Sequence, residues 1–295
     1  MVRRLAHKRV KSVGLAVGRR LAGYRLWVER RSFVGMLALG AVGALSGCGV
    51  SSALGDGHAT ASPLETSMPT PTAPRGFPPI PKPHPGKVTT IFSAPQKTQQ
   101  IALTVDDGFC ADCVSGYVKF AQNSGIPLTF CPNGTYREMW EPHADALRPL
   151  IESQQVQIGN HTWTHLNQSN RTEQQIKDDL EKNDEWVQKT FGITTRPYFR
   201  PPFGFHNATV DGVAGELGYR KILMWNGSFA DSSLLKPRVL MNLARQYLQP
   251  GTIMIGHANY PTVLGLFDQI RHIIDERNLQ PVTLDTMFGT SRATG

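Results

Sequence analysis

An α/β fold of parallel strands, arranged as a (β/α)7-type barrel, is what the sequence predicts for residues 87–290. Three observations carry that expectation. Short apolar runs alternate with helical patterns over about 200 residues, the order produced when parallel strands are joined by crossover helices. The runs number seven, which suits a barrel better than an open sheet. Hydrophobic residues make up 40% of the 295-residue chain, enough for the core of one large domain.

The first strand, 101–106, is the run Ile101-Ala102-Leu103-Thr104-Val105 ending at Asp106. A helix at 112–124, a strand at 127–131 and a helix at 142–153 follow. The third strand, 156–160, ends at Gly159-Asn160. The helix at 173–190 is the best marked. Thr172 and Gln175 fit a capping box, and Ile176, Leu180, Trp186, Val187 and Phe191 recur at helical spacing before Gly192. Strand 195–200, helix 207–217, strand 221–225, helix 236–247, strand 252–256, helix 262–277 and strand 281–284 complete the alternation.

Upstream of this domain the composition changes. Residues 1–47 hold ten Lys/Arg and one acid, Glu29, which leaves 21 basic and 22 acidic residues in the rest of the chain. The formal charge of +8 therefore belongs to the leader, and no nucleic-acid partner is implied. A basic segment before the uncharged stretch 33–47 reads as an export signal, because that stretch falls short of the ~20 residues of a membrane span. Arg30-Arg31-Ser32-Phe33-Val34 resembles a twin-arginine signal, and Leu45-Ser46-Gly47-Cys48 a bacterial lipoprotein cleavage box. Cys48 is then expected to carry the lipid that anchors an extracytoplasmic protein to the outer face of the plasma membrane. An uncleaved N-terminal anchor is the alternative. Residues 48–86, with nine prolines between Pro63 and Pro85, read as a disordered, polyproline-like tether.

Two strings at strand ends carry the chemistry. TVDDG at 104–108 places Asp106 and Asp107 side by side before Gly108, and HTWTH at 161–165 sets His161 and His165 four residues apart. Alone, Asp-Asp-Gly is a turn signal and two such histidines are polar residues on a helical face. Together they offer one carboxylate and two imidazoles to Zn²⁺ or a similar ion with a position left open, and a second carboxylate free as a base. Arg200-Pro201-Pro202-Phe203-Gly204 closes the fourth strand, where Arg200 can pair with a carboxylate. Trp225 could wall a sugar pocket or lie in the core, and Asp231 follows the fifth strand. His257, at the end of Gly251-Thr252-Ile253-Met254-Ile255-Gly256, is a structural residue by itself and a general acid if it stands beside a metal. Cys110, Cys113 and Cys131 leave at most one pair and one thiol, read as a structural disulfide or buried thiols.

These strings, in this order and approximate spacing, resemble the polysaccharide deacetylase domain, also called the NodB-homology domain or carbohydrate esterase family 4, over roughly residues 98–287. The resemblance implies a distorted (β/α)-barrel that uses a divalent metal, most commonly Zn²⁺ with Co²⁺ as a rival, to hydrolyse N- or O-acetyl groups of glycans. It assigns Asp107, His161 and His165 as metal ligands and Asp106 as the base toward the attacking water. The Phe203 backbone N–H would help the metal hold the oxyanion, His257 would protonate the leaving group, Arg200 would orient Asp106, and Asp231 would keep His257 charged. The chain departs from the pattern at Val105, where Phe is common, at Phe203 for Tyr, at Ser232 for Trp and at Ala258 for Asp. Expected partners are an acetylated polysaccharide, such as peptidoglycan, a chitin-like polymer or acetylated xylan, and the membrane through Cys48. A glycan-binding lipoprotein without catalysis, and a redox or metal-sensing role for Cys110 and Cys113, are the competing readings.

Overall fold

The structure, a computed structural model, describes residues 80–290. The expected leader, Cys48 and the tether as far as residue 79 lie outside the described residues. In chain order the elements are β1 Thr89–Ile91, β2 Gln100–Asp107, α1 Ala111–Ser124, β3 Leu128–Pro132, α2 Arg137–Trp140, α3 Ala144–Glu152, β4 Val156–Ile158, α4 Glu173–Phe191, β5 Tyr198–Phe199, α5 Ala208–Glu216, β6 Lys221–Leu223, β7 Gly227–Ser228, α6 Pro237–Tyr247, β8 Ile253–His257, α7 Phe267–Glu276, β9 Gln280–Pro281 and α8 Leu284–Phe288. All seven expected strands are present. So is the capping box of α4, with Thr172 and Gln175 each bonding the other's backbone and Gly192 ending the helix in the left-handed region.

Every strand pairing is parallel, as the alternating pattern requires. The ladder is not continuous around a barrel. It forms one sheet in the order β1-β6-β5 and a second in the order β4-β3-β2-β8-β7, with β9 against β2. A single bridge, Asn160 to Phe199, links the β4 end of one sheet to β5 of the other. The two sheets nevertheless share an interior. Ile91, Ala102, Cys131, Tyr198, Leu223 and Ile253, one from each of six strands, pack together with Leu284 and Met287 of α8. Along β2 the strand period of two sends Ile101, Leu103 and Val105 outward beneath the helices, and Ala102, Thr104 and Asp106 inward.

Several boundaries differ from expectation. β1 and β7 are too short to leave a periodic signature. The expected helix 142–153 starts at Ala144 as α3, because a 3₁₀ turn at Glu141–His143 with Pro142 in its first turn precedes it, and the short α2 before that turn was not expected. Strand 281–284 shortens to β9, and Leu284 begins a helix instead. Residues 195–197 leave strand 195–200 because Thr195 turns its backbone N–H and hydroxyl to the buried Asp184 carboxylate. Arg196 also pairs with Asp184. Among the described residues no helix is long and apolar enough to cross a membrane.

Candidate active site

Parallel strands deliver their C-terminal ends to one side of a domain, and here that rule assembles the site. Asp106 at the end of β2 stands in register with Cys131 of β3 on one side and with His257 of β8 on the other. The chain leaving β4 brings in Asn160 and His161, and the chain leaving β5 brings in Arg200, whose N–H donates to the Asn160 carbonyl at 2.8 Å.

Adjacent residues of a strand face opposite ways, so Asp106 and Asp107 should not share a site. They do because Asp107 leaves the β region, with φ 67°. Gly108 follows at φ 119°, and a Cβ there would meet the Trp140 indole nitrogen at 2.1 Å. That indole donates to the Asp107 carbonyl at 2.8 Å and secures the turn. Asp107 Oδ1 then lies 3.4 Å from His161 Nε2 and 3.3 Å from His165 Nε2.

The HTWTH segment is a loop rather than a helical turn, and its histidines converge by backbone conformation. Thr162 and His165 both have positive φ, 66° and 54°. Strain of this kind persists only where surroundings over-determine it. Those surroundings are Asn133, whose amide donates to the His161 carbonyl at 2.5 Å, and the buried Asp179 carboxylate, which accepts from the Thr164 N–H and hydroxyl. The Arg200 carbonyl lies 2.7 Å from His161 Nδ1. A carbonyl can only accept, so the proton sits on Nδ1 when the ring is neutral and the Nε2 lone pair faces Asp107.

Asp107, His161 and His165 can hold a metal ion, with ligand atoms within 4.8 Å of one another. The residues present fit such an ion. Asp107 Oδ1 is buried and takes no hydrogen bond, although it sits between two imidazole nitrogens. Burial alone would raise the Asp107 carboxyl, but the close approach and charge of the His161 ring hold it well below the usual carboxylate range. Burial would lower His161, yet Asp106 and Asp107 carry it above its ordinary value. His165 is driven down to about 4 by burial and by the His161 charge.

Asp106 is 2% exposed and Arg200 1% exposed. Arg200 donates to Asp106 Oδ1 at 2.6 Å and to Thr104 Oγ1 at 2.9 Å, while Asp106 Oδ2 lies 3.6 Å from His161 Nε2. Across the site, His257 Nδ1 lies 2.9 Å from Asp231 Oδ1, and the His257 backbone N–H donates to Asp231 Oδ2 at 3.2 Å. Burial pulls His257 down, but the Asp231 bond and the carboxylates of Asp106 and Asp107 raise it above its ordinary value.

Phe203 has φ 60°, and its ring, 60% exposed, lies 4.7 Å from that of His165. Trp225 is half-buried against the shared interior, with the Arg200 guanidinium carbon 5.8 Å from its ring centre. Cys110 and Cys113 form a disulfide, and Cys110 Sγ accepts from the Cys113 N–H as the N-cap of α1. Cys131 is free and buried, and burial pushes its thiol well above the ordinary value.

Four contacts of the site were not legible beforehand. Trp140, Asn133, Asp179 and Asn259 contact the segments carrying Asp107, His161 and His165 from 33, 28, 15 and 152 residues away. Asn259, two residues past His257, was the nearest to a signal.

Residues 93–222 match the family model for polysaccharide deacetylase, a span that includes Asp106, Asp107, His161, His165 and Arg200 and ends before Asp231 and His257. A bifunctional xylanase/xylan deacetylase of Cellvibrio japonicus is 27% identical over 197 residues, 65% of this chain and 28% of that protein. A peptidoglycan-N-acetylglucosamine deacetylase of Bacillus cereus is 25% identical over 210 residues, 70% of this chain and 74% of the relative. The chain spans 28%, 56% and 64% of the length of the first three curated relatives it matches. The fold is shared with the chitin deacetylase of Colletotrichum lindemuthianum, with TM-score 0.60, 20% identity, and coverage of 69% of this chain and 92% of that one. Sequence match and shared architecture agree: residues 93–222 are similar to the polysaccharide deacetylase family, within a fold also seen in a solved chitin deacetylase.

Proposed function

We propose that the protein is a metal-dependent hydrolase that removes acetyl groups, N-acetyl foremost, from a cell-wall or extracellular polysaccharide. The observation that carries this reading is the unpartnered Asp107 Oδ1 held between two imidazole nitrogens, with a second carboxylate, Asp106, 3.6 Å from one of those rings. The named relatives, which act on xylan and peptidoglycan, support the substrate class.

Asp107, His161 and His165 would hold the cation, Zn²⁺ first and Co²⁺ next by ligand type. When bound, it supplies Lewis-acid polarisation of the acetyl carbonyl and a water of lowered pKa. The protein does the rest. Asp106 accepts the proton of the attacking water on Oδ2, since Oδ1 is engaged by Arg200. The Phe203 N–H would help to hold the developing oxyanion. His257 is held through Nδ1 by Asp231, which leaves Nε2 to give a proton to the departing amine. The raised affinity of His257 for its proton suits it to that role.

The export signal and the lipid anchor at Cys48 belong to the same proposal and rest on the leader sequence. Tethering near a wall favours peptidoglycan among the candidate polymers. The test is acetate release by the full chain from acetylated chitooligosaccharides, peptidoglycan and acetylxylan, before and after metal removal. Chelation is expected to abolish release and Zn²⁺ to restore it. Full activity in rigorously metal-free protein would refute the mechanism, and sugar binding with no acetate from any polymer would favour the glycan-binding reading.

A further inference from the structure

The polar atoms of Asp107 are divided among separate partners. Oδ1 faces the two histidines and takes no hydrogen bond. Oδ2 accepts from Asn259 Nδ2 at 2.8 Å. The same amide turns its oxygen to the Gly108 N–H at 3.2 Å. That N–H can only donate, so the amide oxygen must face it, and the amide nitrogen must face the carboxylate. Asn259 is 7% exposed, and the preceding residue is pinned to the same strand end: the Ala258 N–H donates to the Asp106 carbonyl at 2.9 Å, and the Ala258 carbonyl accepts from Cys110 N–H at 3.3 Å. The amide is thus held as a two-point clamp over the Asp107–Gly108 turn.

A carboxylate can bind a divalent cation through one oxygen or through both. We propose that Asn259 is a positioning residue that restricts Asp107 to one-oxygen ligation. Its amide engages Oδ2, the cation takes Oδ1 alone, and the position a second oxygen would fill stays open for water and the acetyl oxygen. An aspartate at 259 would set a like charge against Oδ2, and an apolar residue would leave Oδ2 unsatisfied and free to swing inward. The inference rests on Asp107, His161 and His165 being the metal ligands.

The experiment uses the full chain stripped of metal and reloaded with Co²⁺, comparing wild type with Asn259→Leu and, as a smaller change that avoids overpacking, Asn259→Ala. Release of Oδ2 raises the coordination number, so the visible Co²⁺ bands of the variants should lose intensity and shift relative to wild type. Zn²⁺ affinity, read by competition with a chromophoric chelator, should weaken roughly 10–100-fold, as outer-shell partners of metal ligands typically show. Thermal unfolding of the metal-free forms separates this from a purely structural role, which would lower the midpoint and leave the spectrum alone. Co²⁺ spectra of the variants superimposable on wild type overturn the proposal for Asn259. Failure of wild-type protein to bind either metal overturns the metal-site reading itself, a different and recognisable result.

Discussion

Replacing Arg200 with Met tests the site where its energetics are most one-sided. Arg200 and Asp106 are both buried, and their 2.6 Å bond is the carboxylate's compensation for lost water. The guanidinium has further acceptors in Thr104 Oγ1 at 2.9 Å and the Leu223 carbonyl at 3.3 Å, so it too is satisfied only in place. Removing one member of such a pair leaves an uncompensated buried charge and costs roughly 3–5 kcal/mol. For a domain of this size about 1 kcal/mol lowers the thermal midpoint by roughly 2–4 °C, so Arg200→Met should melt about 6–20 °C lower. The assay is chemical and thermal unfolding of the metal-free protein at neutral pH. The decisive comparison is the double variant Arg200→Met with Asp106→Leu. Replacing both charges by apolar groups is often near neutral, so the double variant should be more stable than Arg200→Met alone. If Arg200→Met costs less than about 1 kcal/mol, or the two losses simply add, the pair is not a compensated buried charge, contrary to this account.

Asp106→Asn should keep Zn²⁺ affinity near wild type and lower acetate release roughly 10²–10⁴-fold; a variant as fast as wild type removes Asp106 from the base role. The general acid must be protonated to act, so activity falls as pH rises through the His257 pKa. That pKa is raised by Asp231 against the pull of burial, so Asp231→Asn should move the falling limb of kcat/KM to lower pH. An unmoved limb would separate His257 from that limb. Replacing Cys110 and Cys113 together with Ser should leave deacetylation intact while lowering the thermal midpoint, because their disulfide bridges the first turn of α1 rather than presenting a thiol. Lost acetate release in a folded double variant would revive the redox reading.

Much of the fold was legible because it follows from local chemistry. A short continuous apolar run marks a strand such as Ile101-Ala102-Leu103-Thr104-Val105, and capping chemistry marks the start of α4 at Thr172. Alternation of the two implies parallel pairing, and parallel pairing brings Asp106, His161, Arg200 and His257 to one end. Elements of two or three residues, such as β7 and β1, carry too few side chains for a period to show. The break in the ladder between β5 and β4, where one bridge replaces a full pairing, depends on where chain leaves strand for loop, and Asp184 draws Thr195 out of line.

The order of the motifs, the residue types able to bind a metal and the presence of a spare carboxylate are properties of the chain read in one dimension. Their relative directions are not. Asp107 joins its neighbour in the site only because its backbone turns to φ 67°, and the histidines converge through a loop and not a helix. Asn259 finds Asp107 from 152 residues away. Periodicity reports which face a residue lies on, whereas positive φ values and contacts between distant segments arise from packing the whole domain. They are therefore settled in three dimensions.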